Sequence, residues 1–307
     1  MKYLYYPGCS LKSTGKAYEE SLLRVLAALE VPIAELDDWN CCGATAYMAV
    51  DENKAFALAA RNLALAEHEN GEQGAGGAVN GAAQVVAPCA ACYLVLMKTQ
   101  RYLETLPAVK RVVGGALREA GLDYQGTARV RHPLDVIVND VTLARVTARV
   151  TRPLAGYRVA CYYGCQIVRP FAVFDDMRNP QTLEQLMAAL GAETIRWPLA
   201  TRCCGGSLTG TVHEIGVEMS YNVLKEARRQ GANVIATTCP LCQFNLESYQ
   251  GEMRKQFRDD FTMPVVYFTQ LMGLAFGLKP ADLGMRKILV PPPEPVAARG
   301  GGEPAHV

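Results

Sequence analysis

Histidine is scarce in this 307-residue chain: His68, His132, His213 and His306 are all it has. Metal sites built on imidazole therefore have little to draw on. An excess of either charge is also missing, since Lys and Arg number 31 against 30 Asp and Glu. That balance removes the electrostatic case for nucleic acid or an anionic membrane as a partner. Long apolar runs are absent too. The longest nearly apolar stretch, "VVYFTQLMGLAFGL", has 14 residues with a Gln inside, too short for a bilayer, so a chain that does not span a membrane is expected. The opening "MKYLYYPGCS" reads directly into a strand rather than a secretory signal, and a cytoplasmic protein is the expectation.

Cysteine is what the chain has in quantity, with 11 residues. A reducing compartment argues against a disulfide framework, and a chain that is 50% hydrophobic has core enough without staples. Clustered cysteines then point to metal or redox chemistry. Ten of them fall into two series. The first is Cys9 in "YPGC", Cys41 and Cys42 in "CCG", and Cys89 and Cys92 in "PCAAC". The second is Cys165 in "YYGC", Cys203 and Cys204 in "CCG", and Cys239 and Cys242 in "CPLC". Corresponding cysteines lie 156, 162 and 150 residues apart, which reads as an internal duplication with drift in loop length. The longer loop of the first half contains "NGEQGAGGAVNGAA" (70–83), a flexible surface insertion by composition. "GEQGAG" within it imitates part of a dinucleotide fingerprint but lacks the strand before and the helix after.

Strands and helices alternate in both halves. Strands are expected at "KYLYY", "PIAEL" and "AQVVA", and again at "YRVACYY", "TIRWP" and "NVIATT". Helices are expected over 15–30, 51–69, 91–105, 211–230 and 241–257, and from Asn179-Pro180 to Leu190. Such alternation implies parallel sheets, with every cysteine motif at the C-terminal end of a strand, where open α/β sheets bind ligands. The expected units are a first domain over 1–106, a mostly helical connector over 107–156, a second domain over 157–289, and a disordered Pro/Gly-rich tail over 290–307.

Thiolates select soft metals, zinc or iron–sulfur. Five cysteines per half, with no histidine among them, favour iron–sulfur over structural zinc. Zinc stays open as an alternative, least remotely in the first half with its altered loop. A thioredoxin-like reading of "CAAC" and "CPLC" is weaker, because such motifs normally stand without three further cysteines. Adjacent cysteines reach one centre only if it is extended or the backbone kinks, and Gly43 and Gly205 permit the kink. Gly8 and Gly164, before the first cysteine of each half, let the backbone approach closely. Cys161 is read as a small buried hydrophobe. Lys12 and Arg169 are weak candidates for facing an acidic substrate or offsetting negative charge. His213 is a weak candidate for proton delivery, and His132 and His213 are otherwise read as surface or capping residues.

"YPGCS", "NCCGA" and "PCAACY", followed by "CYYGCQ", "RCCGGS" and "CPLCQ", resemble the duplicated cysteine-rich CCG domain of the heterodisulfide reductase B subunit. The pattern resembles the bacterial heterodisulfide-reductase-like versions in particular, and the resemblance covers roughly residues 1–276. The atypical E subunit of some succinate dehydrogenases is the nearest competitor. The resemblance implies an α/β fold of two Rossmann-like CCG domains, with parallel sheets related by a pseudo-two-fold axis. It further implies two noncubane [4Fe-4S] clusters, one on Cys9, Cys41, Cys42, Cys89 and Cys92, the other on Cys165, Cys203, Cys204, Cys239 and Cys242. The implied reaction cleaves or forms a disulfide between the two clusters, on a small disulfide, thiol or lipoyl-type substrate. The implied partners are the other two components of such a complex, a ferredoxin-like iron–sulfur protein (the C subunit) and a flavoprotein (the A subunit). Both clusters are expected to face one narrow, largely apolar crevice, bordered by "SLKS" and "QIVR".

Overall fold

A computed structural model describes residues 3–44, 46–72 and 82–293. Residues 73–81 of the insertion read at 70–83, and residues 294–307 of the tail read at 290–307, lie outside the described residues. The first half runs β1 (Tyr3–Tyr5), α1 (Gly8–Leu11), α2 (Lys16–Ala28), β2 (Ile33–Glu35), α3 (Ala46–Val50), α4 (Glu52–Glu72), β3 (Gln84–Val86) and α5 (Ala90–Thr105). It continues through α6 (Pro107–Glu119), β4 (Arg129–Arg131), α7 (Pro133–Asp135), a π-helical stretch Val136–Thr142 and α8 (Leu143–Ala148). The second half has β5 (Arg158–Tyr162), α9 (Thr182–Ala189), β6 (Glu193–Ile195), α10 (His213–Arg229), β7 (Val234–Thr237), α11 (Pro240–Ser248), α12 (Gln250–Phe257), β8 (Val265–Tyr267) and α13 (Phe268–Ala275).

The two sheets have the same order, β2-β1-β3-β4 and β6-β5-β7-β8, and every pairing is parallel. This is the α/β fold with two Rossmann-like halves that the resemblance implied. Strands so short hold because they are apolar and covered on both faces: β1, β3 and β7 are buried throughout. The connector is not purely helical. It supplies β4, which pairs with β3 at the edge of the first sheet, so that sheet extends past residue 106. β8 plays the same part in the second sheet.

The helix expected over 15–30 is α2, and its Leu22, Val25 and Leu26, with Leu29 at its C-cap, are all buried. Two boundaries differ from expectation. The segment 241–257 is two helices meeting at Tyr249 rather than one. α9 begins after Gln181, and its free N–H groups at Gln181 and Thr182 are taken by the Asp175 carboxylate rather than by Asn179.

One continuous core joins the halves, running from Tyr3 to Phe276. Tyr18 on α2 stacks on Tyr267 at the end of β8, with ring centroids 4.5 Å apart and planes within 8°. Such a buried pair adds about 0.5–1.5 kcal/mol beyond the area it covers. Ser21 and Thr269 share a buried hydroxyl contact of 2.7 Å across the same seam.

Candidate metal centre

All ten clustered cysteines sit past the C-terminal ends of strands. Cys9 lies in α1 after β1, Cys41 and Cys42 follow β2, and Cys89 caps α5 with Cys92 in its first turn. Cys165 follows β5, Cys203 and Cys204 follow β6, and Cys239 caps α11 with Cys242 in its first turn. The repeated topology brings each set of five into one row of neighbouring thiols. Cys9 and Cys41 have sulfurs 3.8 Å apart, Cys42 and Cys92 3.2 Å, and Cys204 and Cys242 3.5 Å. Further thiol contacts join Cys41 to Cys42, Cys92 to Cys89, Cys242 to Cys239, and Cys203 to both Cys204 and Cys165. Cys89 and Cys239 also touch each other across the seam between the halves.

The result is one file of ten sulfurs, in the order 9, 41, 42, 92, 89 and then 239, 242, 204, 203, 165. The second half reads the first in reverse, as a pseudo-two-fold axis between Cys89 and Cys239 requires. The two sets therefore face each other rather than opposite sides of the molecule. The junction itself is closed: Cys89 and Cys239 are buried in contact. Solvent reaches the file at its outer ends, where Cys9 and Cys41 are exposed and Cys165 and Cys203 partly so. A cleft of 1170 Å³ lies elsewhere, between α5, α6 and β4, lined by Arg101, Lys110, Arg118 and Arg129 and by no cysteine.

The backbone is shaped to this file. Gly8 and Gly164 have φ of +65° and +66°. A Cβ there would lie 2.9 Å from Cys92 Sγ and 3.0 Å from Cys242 Sγ respectively, so a side chain at either position would collide with a thiol. Gly43 and Gly205 also have positive φ, and a Cβ on them would press on Ala55 and on Gly216.

Backbone N–H groups are aimed at the sulfurs. Cys41 and Cys42 receive them from Gly43 and Ala44, Cys203 and Cys204 from Gly205 and Gly206, and Cys89 and Cys239 from the first turns of α5 and α11. Donors and helix N-termini so placed favour thiolates. The Cys203 thiol is held well below its ordinary value by bonds from Cys165 and Cys204, with Gly205 N–H and the Arg169 charge adding to them. Cys42 is lowered by Cys41 and Cys92, and Cys239 by Cys242 and Cys89.

Two tyrosines absent from the sequence reading complete the frame. Tyr6 Oη donates to Asn40 O at 2.8 Å, and Tyr162 Oη to Arg202 O at 2.7 Å. Each hydroxyl holds the carbonyl just before its CCG tripeptide, and each tyrosine stands three residues before the first cysteine of its half. That shared offset was the available signal. The Tyr18 hydroxyl is buried at the seam, in the field of Cys239 and Cys89, with no hydrogen-bond partner among the described residues.

The weaker candidates separate. Arg169 donates to Thr201 O and lies close enough to Cys203 to stabilise its thiolate, which suits the charge-offset role. Lys12 is held by Glu19 at 2.6 Å and Glu35 at 2.7 Å, so its charge is already paired with two carboxylates. His213 joins Thr209 O to the Glu252 carboxylate at the start of α10, and neither bond leads to a cysteine. Cys161 is fully buried on β5, as read. His132 caps α7 as expected, but it is fully buried, not at the surface.

The donor set fits a soft-metal centre: of ten gathered thiols, Cys41, Cys42, Cys89, Cys203, Cys204 and Cys239 each receive a backbone N–H that favours the thiolate. Among the described residues no three His, Cys, Asp or Glu side chains surround one point as a single ion would require. The family model of the cysteine-rich CCG domain matches residues 3–97 and 159–247, more than half of the chain and one match per half. The chain belongs to the CCG cysteine-rich domain family. It is 29% identical over 286 residues to the 8-methylmenaquinol:fumarate reductase membrane anchor subunit of Wolinella succinogenes, covering 92% of this chain and 95% of that protein. It is 27% identical over 288 residues to the B subunit of the ferredoxin/F(420)H(2)-dependent CoB-CoM heterodisulfide reductase of Methanosarcina acetivorans, covering 92% of this chain and 91% of that one. Among solved structures, a hypothetical protein of Helicobacter pylori superposes with a TM-score of 0.71 at 14% identity, over 93% of this chain and 51% of that one, a likeness of fold alone. No described helix of this CCG protein is long and apolar enough to cross a membrane.

Proposed function

We propose that this chain is a B subunit of the heterodisulfide reductase type, an oxidoreductase that cleaves or forms a disulfide between two iron–sulfur centres. Cys9, Cys41, Cys42, Cys89 and Cys92 hold one centre, and Cys165, Cys203, Cys204, Cys239 and Cys242 the other. The observation that carries the reading is the palindromic file of ten thiols, with one set of five facing the other across the seam. Relatives named as B subunits of heterodisulfide reductases, alike over nearly their whole length, support it.

Five thiols per centre is one more than a cubane cluster or a tetrahedral zinc ion uses, which favours an extended, noncubane [4Fe-4S] cluster over zinc. Such a centre supplies one electron at a time. Cleaving one disulfide to two thiols takes two electrons and two protons, so two centres suffice for one turnover. The protein holds the centres with its thiols, shapes the backbone around them with Gly8 and Gly164, and fixes each CCG loop through Tyr6 and Tyr162. The chain has no flavin or nicotinamide fingerprint, so the electrons enter from a partner, in this reading a ferredoxin-like iron–sulfur protein and, beyond it, a flavoprotein. A small disulfide, thiol or lipoyl-type substrate and a cytoplasmic setting complete the proposal.

The test is a single turnover. Protein purified without oxygen is reduced, mixed with a small disulfide and frozen at intervals for electron paramagnetic resonance. Oxidation of both centres in step, with two thiols released per chain, is the expected result. Oxidation of one centre alone, or no thiol release, would overturn the reading. A second reading, an electron-relay or anchoring component beside a succinate dehydrogenase or fumarate reductase type enzyme, is favoured by the Wolinella succinogenes relative. It predicts redox-active centres with no thiol release.

A further inference from the structure

His132 lies outside every cysteine motif, yet its ring sits where the two halves meet. It follows β4 and caps α7, with Nδ1 accepting the Leu134 N–H at 3.1 Å. An Nδ1 that accepts carries no proton, so the ring's proton is on Nε2. Nε2 faces two backbone carbonyls, Pro88 O at 3.0 Å and Thr238 O at 3.3 Å. Pro88 precedes Cys89 in the first half, and Thr238 precedes Cys239 in the second. One N–H is therefore shared between the loops that carry the two touching thiols.

The site is built for a neutral ring. His132 has no exposed surface, Tyr93 meets it edge-on at 5.8 Å, and Phe268 lies 6.5 Å away. Burial drives its pKa down to about 4. The pseudo-symmetric position is Tyr267: β4 pairs Arg131 with Val86, β8 pairs Val266 with Ala236, and the next residue caps a helix in both halves. Tyr267 sends its hydroxyl to Gln243 within its own half. The connection through a backbone carbonyl of each Cys-x-x-Cys loop is therefore made by the histidine and not by its counterpart.

We propose that His132 is a positioning residue that locks the two Cys-x-x-Cys loops to each other, so that a change at one centre is felt at the other. The proposal rests on the reading that each half holds an iron–sulfur centre. Its test uses the full chain, purified without oxygen, as wild type, His132→Phe and His132→Gln. None of these removes a thiol, so iron per chain should be unchanged in all three. His132→Phe keeps a buried ring without a donor, and the paramagnetic resonance signals of both centres should shift together. His132→Gln places an amide N–H near the position of Nε2 and should restore both signals. A shift confined to one centre, no shift, or no restoration by Gln would overturn the proposal.

A second readout needs no metal. In chain stripped of metal and oxidised with ferricyanide, Cys89 and Cys239 should form a disulfide, giving two electrons to the oxidant and two protons to solvent. Peptide mass spectrometry should show that link falling several-fold in His132→Phe, while the Cys42–Cys92 link persists. An unchanged Cys89–Cys239 yield would overturn the proposal. Wild type that binds no iron yet passes this thiol test would instead overturn the iron–sulfur reading and leave the strut standing.

Discussion

Alanine in place of Gly8 or Gly164 should dismantle one centre at a time. Both glycines hold φ near +65°, the left-handed region in which an L side chain costs about 1–2 kcal/mol. The new methyl also meets a thiol, at 2.9 Å from Cys92 Sγ for Gly8→Ala and 3.0 Å from Cys242 Sγ for Gly164→Ala. Overpacking of that kind adds about 1–3 kcal/mol, so each variant should lose about 2–5 kcal/mol. The strain falls on one ligand of one half. Either substitution should therefore lower iron by about half in protein purified without oxygen, under the reading of one centre per half. Gly8→Ala should spare the second-half signal and Gly164→Ala the first. The assays are iron per chain, paramagnetic resonance and the thermal midpoint. Full iron with an unchanged midpoint in both variants would refute the reasoning, because the thiols would then not be fixed where the glycines leave room for them.

Cys204→Ala should abolish the second centre, and Cys161→Ala should leave iron unchanged, because Cys161 is core rather than part of the sulfur file; comparable iron loss from both, measured by metal analysis, would break the ligand assignment. Glu184 gives a pH signature. Burial raises its carboxyl to about 7 from an ordinary 4.5, while it accepts the Tyr163 hydroxyl. The folded chain then binds a proton that the unfolded chain has lost between those values, so stability is full below the window and declines as pH rises through it. At about 1.4 kcal/mol per unit the decline is on the order of 3 kcal/mol, less whatever solvent screening removes. Glu184→Gln keeps an acceptor for Tyr163 and should flatten the slope between about pH 4.5 and about pH 7 in thermal melts; an undiminished slope would place its origin elsewhere.

The sulfur file was legible in the sequence because its information is local and redundant. Each cysteine follows a strand signal, and the same five-cysteine pattern occurs twice, so spacing alone paired Cys9 with Cys165 and Cys42 with Cys204. The long apolar-periodic helices were legible for the same reason, as Leu22, Val25, Leu26 and Leu29 show. β4 and β8 were not, because three residues such as "RVR" offer too little alternation to separate a strand from a connector. The break at Tyr249 was hidden since no Gly or Pro precedes it to mark a stop. His132 illustrates the remaining gap. Its sequence context, before a proline at a helix start, announced a cap, and the cap is there. Its second role depends on Pro88 and Thr238 being brought together by two separate sheets, which no local pattern records. Lys12 shows the reverse: a charge beside a cysteine looked free until Glu19 and Glu35 folded onto it.

The most direct test of the central claim is the metal itself. Protein purified without oxygen should be analysed for iron, acid-labile sulfide and zinc, first as wild type and then with Cys42→Ala and Cys204→Ala. Two iron–sulfur centres on the ten thiols predict iron and sulfide in equal amounts with little zinc, each substitution removing about half of both. Zinc in place of iron, or iron that survives both substitutions, would contradict the claim.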